Sequence, residues 1–342
     1  MEGGFFMWPV ETYLQHLYSQ AVNTHSTTYN QSWKINLKNQ FEQSLGLFEK
    51  QSGSVEPVIL EEKDMGSYKR LRVEISTIES LKMLVYVLVP KTTSKKLPAV
   101  LAVHGHGYGS KEIVGLNPDG SLRKDPGIHK NFAVSLVEKG VVVFAPELIG
   151  FGDRKLEEDQ NIGKPEDNSC YRIASQLLLL GKTLPGLRVA ECRRLIDYMQ
   201  AFPNVEQNNL GIMGLSGGGL VAGFVSILDD RIKATVISGY TNTFIGSIMD
   251  RRHCLDNYVP GILQYTEMPE LIGLIAPRPL FIEAGNADHL FPLDQVNLAM
   301  NKLKEIYRRN EAEHLLANHV FDGGHEVCGE KSYDWLVEQI SQ

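Results

Sequence analysis

Through the middle and end of the chain, short runs of consecutive apolar residues alternate with segments whose apolar positions recur every three or four residues. Pro98 to His104, Val141 to Ala145, Asn209 to Met213, Ala234 to Ser238, Pro279 to Glu283 and His319 to Phe321 read as strands, too evenly apolar to have a wet face. Lys130 to Lys139, Ala174 to Leu180, Leu187 to Ala201, Leu220 to Leu228, Val296 to Tyr307 and Tyr333 to Ile340 read as helices. In the third of these, Leu187, Ala190, Leu195, Ile196 and Met199 share one side. The alternation predicts an α/β fold with a mostly parallel central sheet and helices on both faces.

The first hundred residues have a different texture. Glu11 to Gln20 and Trp33 to Lys50 carry helical spacing, with Ile35, Leu37, Phe41, Leu45 and Phe48 as a stripe, until Ser52-Gly53-Ser54 breaks it. Pro57 to Leu60, Tyr68 to Ser76 (Leu71, Val73 and Ile75 alternating) and Leu81 to Val89 then predict an antiparallel meander. The expected organisation is a helical extension over 1–54 packed on a main domain over 55–342. Three polar, glycine-containing stretches interrupt that domain near 107–128, 150–170 and 240–273. The first two follow strand ends, where open α/β sheets build their sites, and the third is long enough for a small helical insertion walling a pocket.

Composition narrows the class. A formal charge of -7 with basic residues only in pairs (Lys95-Lys96, Arg193-Arg194, Arg251-Arg252, Arg308-Arg309) argues against nucleic acid or an anionic membrane as partner. The N-terminus Met1 to Pro9 has an early acid and too short an apolar run for a secretory signal, and no apolar run is long enough to span a bilayer. Cys170, Cys192, Cys254 and Cys328 form no C-x-x-C pair and read as reduced thiols. A cytoplasmic location is therefore expected; the pattern specifies no oligomeric state.

One stretch carries chemistry. Asn209 to Gly219 is an apolar strand entering Gly214-Leu215-Ser216-Gly217-Gly218, followed by a helical segment. A G-x-S-x-G at a strand-to-helix turn exposes the serine hydroxyl and sets the next N–H at a helix N-terminus, where negative charge is favoured. Alone, in a chain with 31 glycines, the same letters also describe an ordinary tight turn. An acid and a base are needed. Asp288 follows a strand and a glycine turn and is the first choice of acid, against a bland role closing an Asx-turn; Asp294 suits a helix cap and Glu283 falls within the strand. His325, after Gly323-Gly324, is the base, preferred over His314 and His319. The turn His104-Gly105-His106-Gly107 offers the His106 N–H as a second oxyanion donor beside that of Gly217. Two histidines two apart, with no matching cluster, are weak grounds for zinc, so no metal and no cofactor are expected.

These motifs, in the order HGHG, GLSGG, GNADHLFP and GGH, resemble the α/β-hydrolase superfamily, and more narrowly the bacterial dienelactone-hydrolase and acetyl-xylan-esterase-like serine hydrolases. Pro146 to Arg154 and Ile275 to Pro279 add to the likeness, which covers about 55–342. It implies Ser216 as nucleophile, Asp288 as acid, His325 as base, and His106 and Gly217 as oxyanion donors. Dienelactone hydrolases carry a cysteine nucleophile, so Ser216 moves the chain toward esterases; Gly217 stands where carbohydrate deacetylases of this fold usually have Gln. The expected activity is hydrolysis of a small or carbohydrate-linked ester. A prolyl-oligopeptidase-type peptidase or amidase, and a non-catalytic binding protein on the same fold, are the alternatives. Tyr108, Glu147, Arg154, Arg251 and Arg252 are further candidates for substrate contact, with an internal ion pair as the competing role for Glu147 and Arg154.

Overall fold

The computed structural model describes residues 9–25, 28–49, 51–91, 96–160 and 162–342. Met1 to Trp8 of the N-terminal stretch discussed above, Lys50 and Lys95 lie outside them. Nine strands form one sheet in the order β1-β2-β3-β5-β4-β6-β7-β8-β9. They are β1 (Val58–Asp64), β2 (Tyr68–Ser76), β3 (Lys82–Pro90), β4 (Leu97–Val103), β5 (Val142–Pro146), β6 (Val205–Leu215), β7 (Ile232–Ser238), β8 (Leu280–Gly285) and β9 (Leu316–Phe321). The first three pair antiparallel, β3 joins β5 antiparallel, and every remaining pairing is parallel. The meander and the mostly parallel sheet expected from the apolar pattern are both present.

The helices are α1 (Val10–Val22), α2 (Gln31–Ser44), α3 (Ser110–Ile113), α4 (Phe132–Glu138), α5 (Cys170–Leu179), α6 (Leu184–Ala201), α7 (Gly217–Leu228), α8 (Met268–Gly273), α9 (Leu293–Arg309) and α10 (Ser332–Ser341). Uniformly apolar strands are what a sheet covered on both faces requires. On β4, Ala99, Leu101 and Val103 enter the core shared with α2, α6 and α7, while Val100 and Ala102 enter the one shared with α4 and α10. Strand β6 divides its residues in the same way, with Leu210 and Ile212 on one side and Met213 and Leu215 on the other.

Of the stripe read along the second helix, Leu37, Phe41 and Leu45 are buried, and Phe41 meets Phe224 of α7 edge-on at 4.7 Å. Ile35 instead faces outward. The helix stops at Ser44, before the expected Lys50, because Gly46 takes φ +81° hard against Lys182, a conformation and a space that only glycine fits. The 240–273 insertion is built of one π-helical turn, two 3₁₀ turns and α8. Among the described residues no helix is long and apolar enough to cross a membrane.

Candidate active site

Strand β6 delivers Ser216 to the carboxyl end of the sheet in an unusual backbone conformation, φ 57° and ψ -124°. A side-chain-bearing residue holds such a conformation at a cost of about 1–3 kcal/mol and only where its surroundings enforce it. The enforcement is visible in the flanking glycines. A Cβ on Gly214 would lie 2.1 Å from the carbonyl of Gly218, and one on Gly218 would lie 2.1 Å from the carbonyl of Val103. The chain can therefore fold back on itself at Ser216 only with glycine at both positions. The Ser216 N–H is anchored on the Ser238 carbonyl at 2.9 Å, and Ser216 stays partly exposed while its neighbours are buried.

Gly217 opens α7, so its N–H has no partner within the helix. The loop after β4 lies directly against this turn: a Cβ on Gly105 would approach that of Ser216 to 3.1 Å, and one on Gly217 would lie 3.4 Å from Nδ1 of His106. His106 and Gly217 are thus neighbours across the elbow. The loop is held from behind by a pair that the sequence did not signal. Nε2 of the fully buried His129 accepts from the Gly105 N–H at 3.0 Å, and its Nδ1 meets Glu112 at 2.7 Å. The other oxygen of Glu112 accepts from the Tyr108 N–H at 2.7 Å. Burial drives the His129 imidazole toward its neutral form, despite the carboxylate beside it, which leaves Nε2 an acceptor.

Asp288 and His325 come together at the ends of β8 and β9, with Nδ1 of the imidazole 2.7 Å from Oδ2 of the carboxylate. Burial raises the carboxyl pKa, but the hydrogen bond and charge of His325 and the N–H groups of Phe291 and Leu290 outweigh it and hold Asp288 below its usual range. Phe291 lies parallel to the His325 ring, centroids 5.6 Å apart, and limits its rotation. The imidazole also abuts Gly239, where a Cβ would lie 3.3 Å from its Cε1. Gly239 directly follows Ser238, whose carbonyl anchors Ser216. His104, by contrast, faces inward, its Nδ1 on the Gly105 carbonyl and its Nε2 accepting from the Leu148 N–H.

Glu147 and Arg154 require correction as substrate contacts, because both side chains are consumed internally. Glu147 is buried and accepts from the N–H and hydroxyl of Ser110 at 3.0 and 2.9 Å. Arg154 gives its charge to Glu191 on α6 and touches Glu147 only at the main-chain carbonyl, so the internal ion pair exists with a different partner. The Tyr108 hydroxyl closes its own loop on the Leu116 carbonyl. Arg251 donates to the His289 carbonyl and to Asp250, and Arg252 points to solvent. A surface cleft of about 670 Å³ between Gln200, Asp230, Lys233 and Arg278 sits at the amino ends of β7 and β8, the wrong end of the sheet for Ser216. Loops 107–128 and 150–170 form a cleft of about 320 Å³ at the carboxyl end, lined by Tyr108, Lys111, Gly152 and Asp153.

A strained serine at a strand-to-helix turn on a sheet of this order defines the α/β-hydrolase fold. The chain belongs to the Abhydrolase family, which residues 10–318 match. It is similar to the Bacillus subtilis protein named putative hydrolase YtaP, 31% identical over 261 residues that make up 74% of this chain and 81% of that protein. Among solved structures, a Bacteroides fragilis protein described as a putative acetyl xylan esterase has a TM-score of 0.74 at 16% identity, over 94% of this chain and 84% of its own. Glucuronoyl esterase from Solibacter usitatus has a TM-score of 0.64 at 14% identity, over 90% of this chain and 91% of its own. At these identities the likeness is one of fold, and with the family match it bears out the resemblance to the α/β-hydrolase superfamily.

Proposed function

We propose that this chain is a serine hydrolase that cleaves a small or carbohydrate-linked carboxylic ester through an acyl-enzyme. The observation that carries the reading is the 2.7 Å contact between His325 and Asp288 beside a serine held at φ 57°. His325 accepts the Ser216 proton as the hydroxyl attacks the ester carbonyl, and Asp288 orients the ring and stabilises its charged form. The N–H groups of His106 and Gly217 receive the negative charge that develops on the carbonyl oxygen. The alcohol leaves with the proton from His325; water enters, gives up a proton to the same imidazole and releases the acid.

The ester class is supported by the company the fold keeps, since the named neighbours are described as a putative acetyl xylan esterase and a glucuronoyl esterase. The test is hydrolysis of p-nitrophenyl acyl esters by the full chain and by Ser216→Ala. The variant is expected to lose more than about 10⁴-fold in kcat while keeping its circular dichroism spectrum. A folded variant with undiminished turnover refutes the reading.

A further inference from the structure

The three long loops meet at one point just behind the oxyanion turn. His106 comes from the loop after β4, Cys170 opens α5 at the end of the 150–170 stretch, and Cys254 and Asp256 belong to the 240–273 insertion. Nε2 of His106, the two cysteine sulfurs and a carboxylate oxygen of Asp256 all lie within 4.8 Å of one another. Cys170 is fully buried and Asp256 nearly so. His106 is a third exposed on its Nδ1 side, toward Gly217, but its Nε2 is sealed from water and has near it the Cys254 thiol and the Asp256 carboxylate, neither in good hydrogen-bond geometry.

That nitrogen stands 3.3 Å from Oδ2 of Asp256, without a well-formed hydrogen bond to it. In a tetrahedral zinc centre with bonds of about 2.0–2.1 Å, nitrogen and oxygen ligands are separated by roughly this distance. The charge of the cluster is prepared for anionic ligands. Arg188, itself buried, donates to Oδ2 of Asp256 at 2.6 Å and to the Cys170 sulfur at 3.0 Å. Asn257 donates to the other Asp256 oxygen at 2.9 Å and fixes the carboxylate's orientation.

We propose that His106, Cys170, Cys254 and Asp256 form a structural zinc site that staples the three loops together beside the nucleophile elbow. Two thiolates with an imidazole and a carboxylate suit zinc; magnesium and calcium take oxygen ligands. Four protein ligands leave no open position, so the ion orders the loops and does not activate water. Binding takes both cysteines as thiolates and His106 as the neutral imidazole, and releases two protons, one from Cys170 and one from the His106–Cys254 pair. Two thiolates, the Asp256 carboxylate, the Arg188 guanidinium and the dication then sum to zero, the same net charge as the thiol form, so the buried cluster stays neutral in both states. The sequence conceals the site because its ligands come from three separate loops and show no metal-binding spacing.

The site does not depend on ester hydrolysis, so it is tested by metal binding on the full chain and equally on Ser216→Ala. Protein stripped by a chelator is titrated with zinc against a chromophoric competitor, with proton release followed in weak buffer, and separately with cobalt(II). One zinc per chain, two protons released and a thiolate-to-cobalt charge-transfer band are expected. Cys170→Ser and Cys254→Ser should each weaken zinc binding more than about 100-fold, whereas Cys328→Ser, outside the cluster, should not. The wild-type cobalt spectrum decides the matter even if a cysteine variant fails to fold. Less than half an equivalent bound, no thiolate band, or a Cys170–Cys254 disulfide formed in place of metal uptake overturns the proposal.

Discussion

Asp288 holds His325 with one carboxylate oxygen and its own turn with the other. Oδ2 meets the imidazole at 2.7 Å, while Oδ1 accepts from the N–H groups of Leu290 and Phe291 at 2.8 and 3.1 Å. The Asx-turn that competed with a catalytic role in the sequence is the means by which the carboxylate is aimed. Asp288→Asn keeps an oxygen for the turn but places an amide donor or a weaker acceptor against Nδ1. Ester turnover is expected to fall about 10³–10⁴-fold in kcat while the variant keeps its far-UV circular dichroism spectrum. A variant that keeps its turnover removes Asp288 from the mechanism.

On the proposed mechanism, the Glu112–His129 pair positions the loop that carries Gly105 and His106 without touching substrate. Glu112→Gln lets the His129 tautomer change, and with it the acceptor that fixes the Gly105 N–H. Because a displaced donor matters most to the charged transition state, kcat should fall about 10- to 100-fold with KM little altered. Equal loss in KM and kcat, or in neither, would argue for packing alone.

Backbone crowding at the elbow gives a contrast within one protein. Gly218→Ala drives a methyl into the carbonyls of Val103 and His104, whereas a Cβ on Gly324 meets nothing within 4 Å. Equilibrium unfolding in urea should show the first destabilised by about 1–3 kcal/mol and the second within about 0.5 kcal/mol of the parent. Similar midpoints for the two would contradict the described elbow.

Acid should weaken the fold by a defined route. Burial pushes the carboxyls of Glu112, Asp229 and Asp288 upward, but His129, Arg231 and His325 respectively, with backbone N–H groups, overcome it and hold all three below their usual range. The unfolded chain titrates near about pH 4 and so takes up protons before the folded one does. The stabilisation is therefore complete above that pH and is lost as pH falls through the folded values. Urea midpoints measured downward from about pH 6 should decline below about pH 4, less steeply in Asp288→Asn. A decline of the same steepness in the variant would detach Asp288 from it.

What could be read in the sequence follows from where the signal is local. Ser216, Asp288 and His325 each sit beside glycines at a strand end, and the pattern of buried strands gives the sheet. Strand β6 begins earlier than Asn209 because Val205 pairs with Leu97 despite the polar residues that follow it. Helix α5 begins at Cys170, four residues before the expected Ala174, since exposed Tyr171 and Arg172 hide its periodicity. Glu147 and Arg154 flank a Gly-rich loop after a strand end, which suggests substrate contact, but the groups that engage them, Ser110 and Glu191, lie far off in sequence on other elements. Glu112 and His129 are 17 residues apart with no motif between them, and only the folded chain brings them together.

The buried carboxylate of Glu283 has a consequence for how this site can change. One oxygen accepts from the Ser238 hydroxyl and the Cys328 N–H, the other from the Gly329 N–H and the Ser332 hydroxyl. The strand end that anchors the serine and the segment just beyond the histidine therefore hang from a single fixed group deep in the sheet. Both are held from inside the sheet and not from its rim. On the proposed mechanism, residues of 150–170 and 240–273 outside the Cys170, Cys254 and Asp256 cluster can be reshaped to admit a different acyl group or alcohol without disturbing this support.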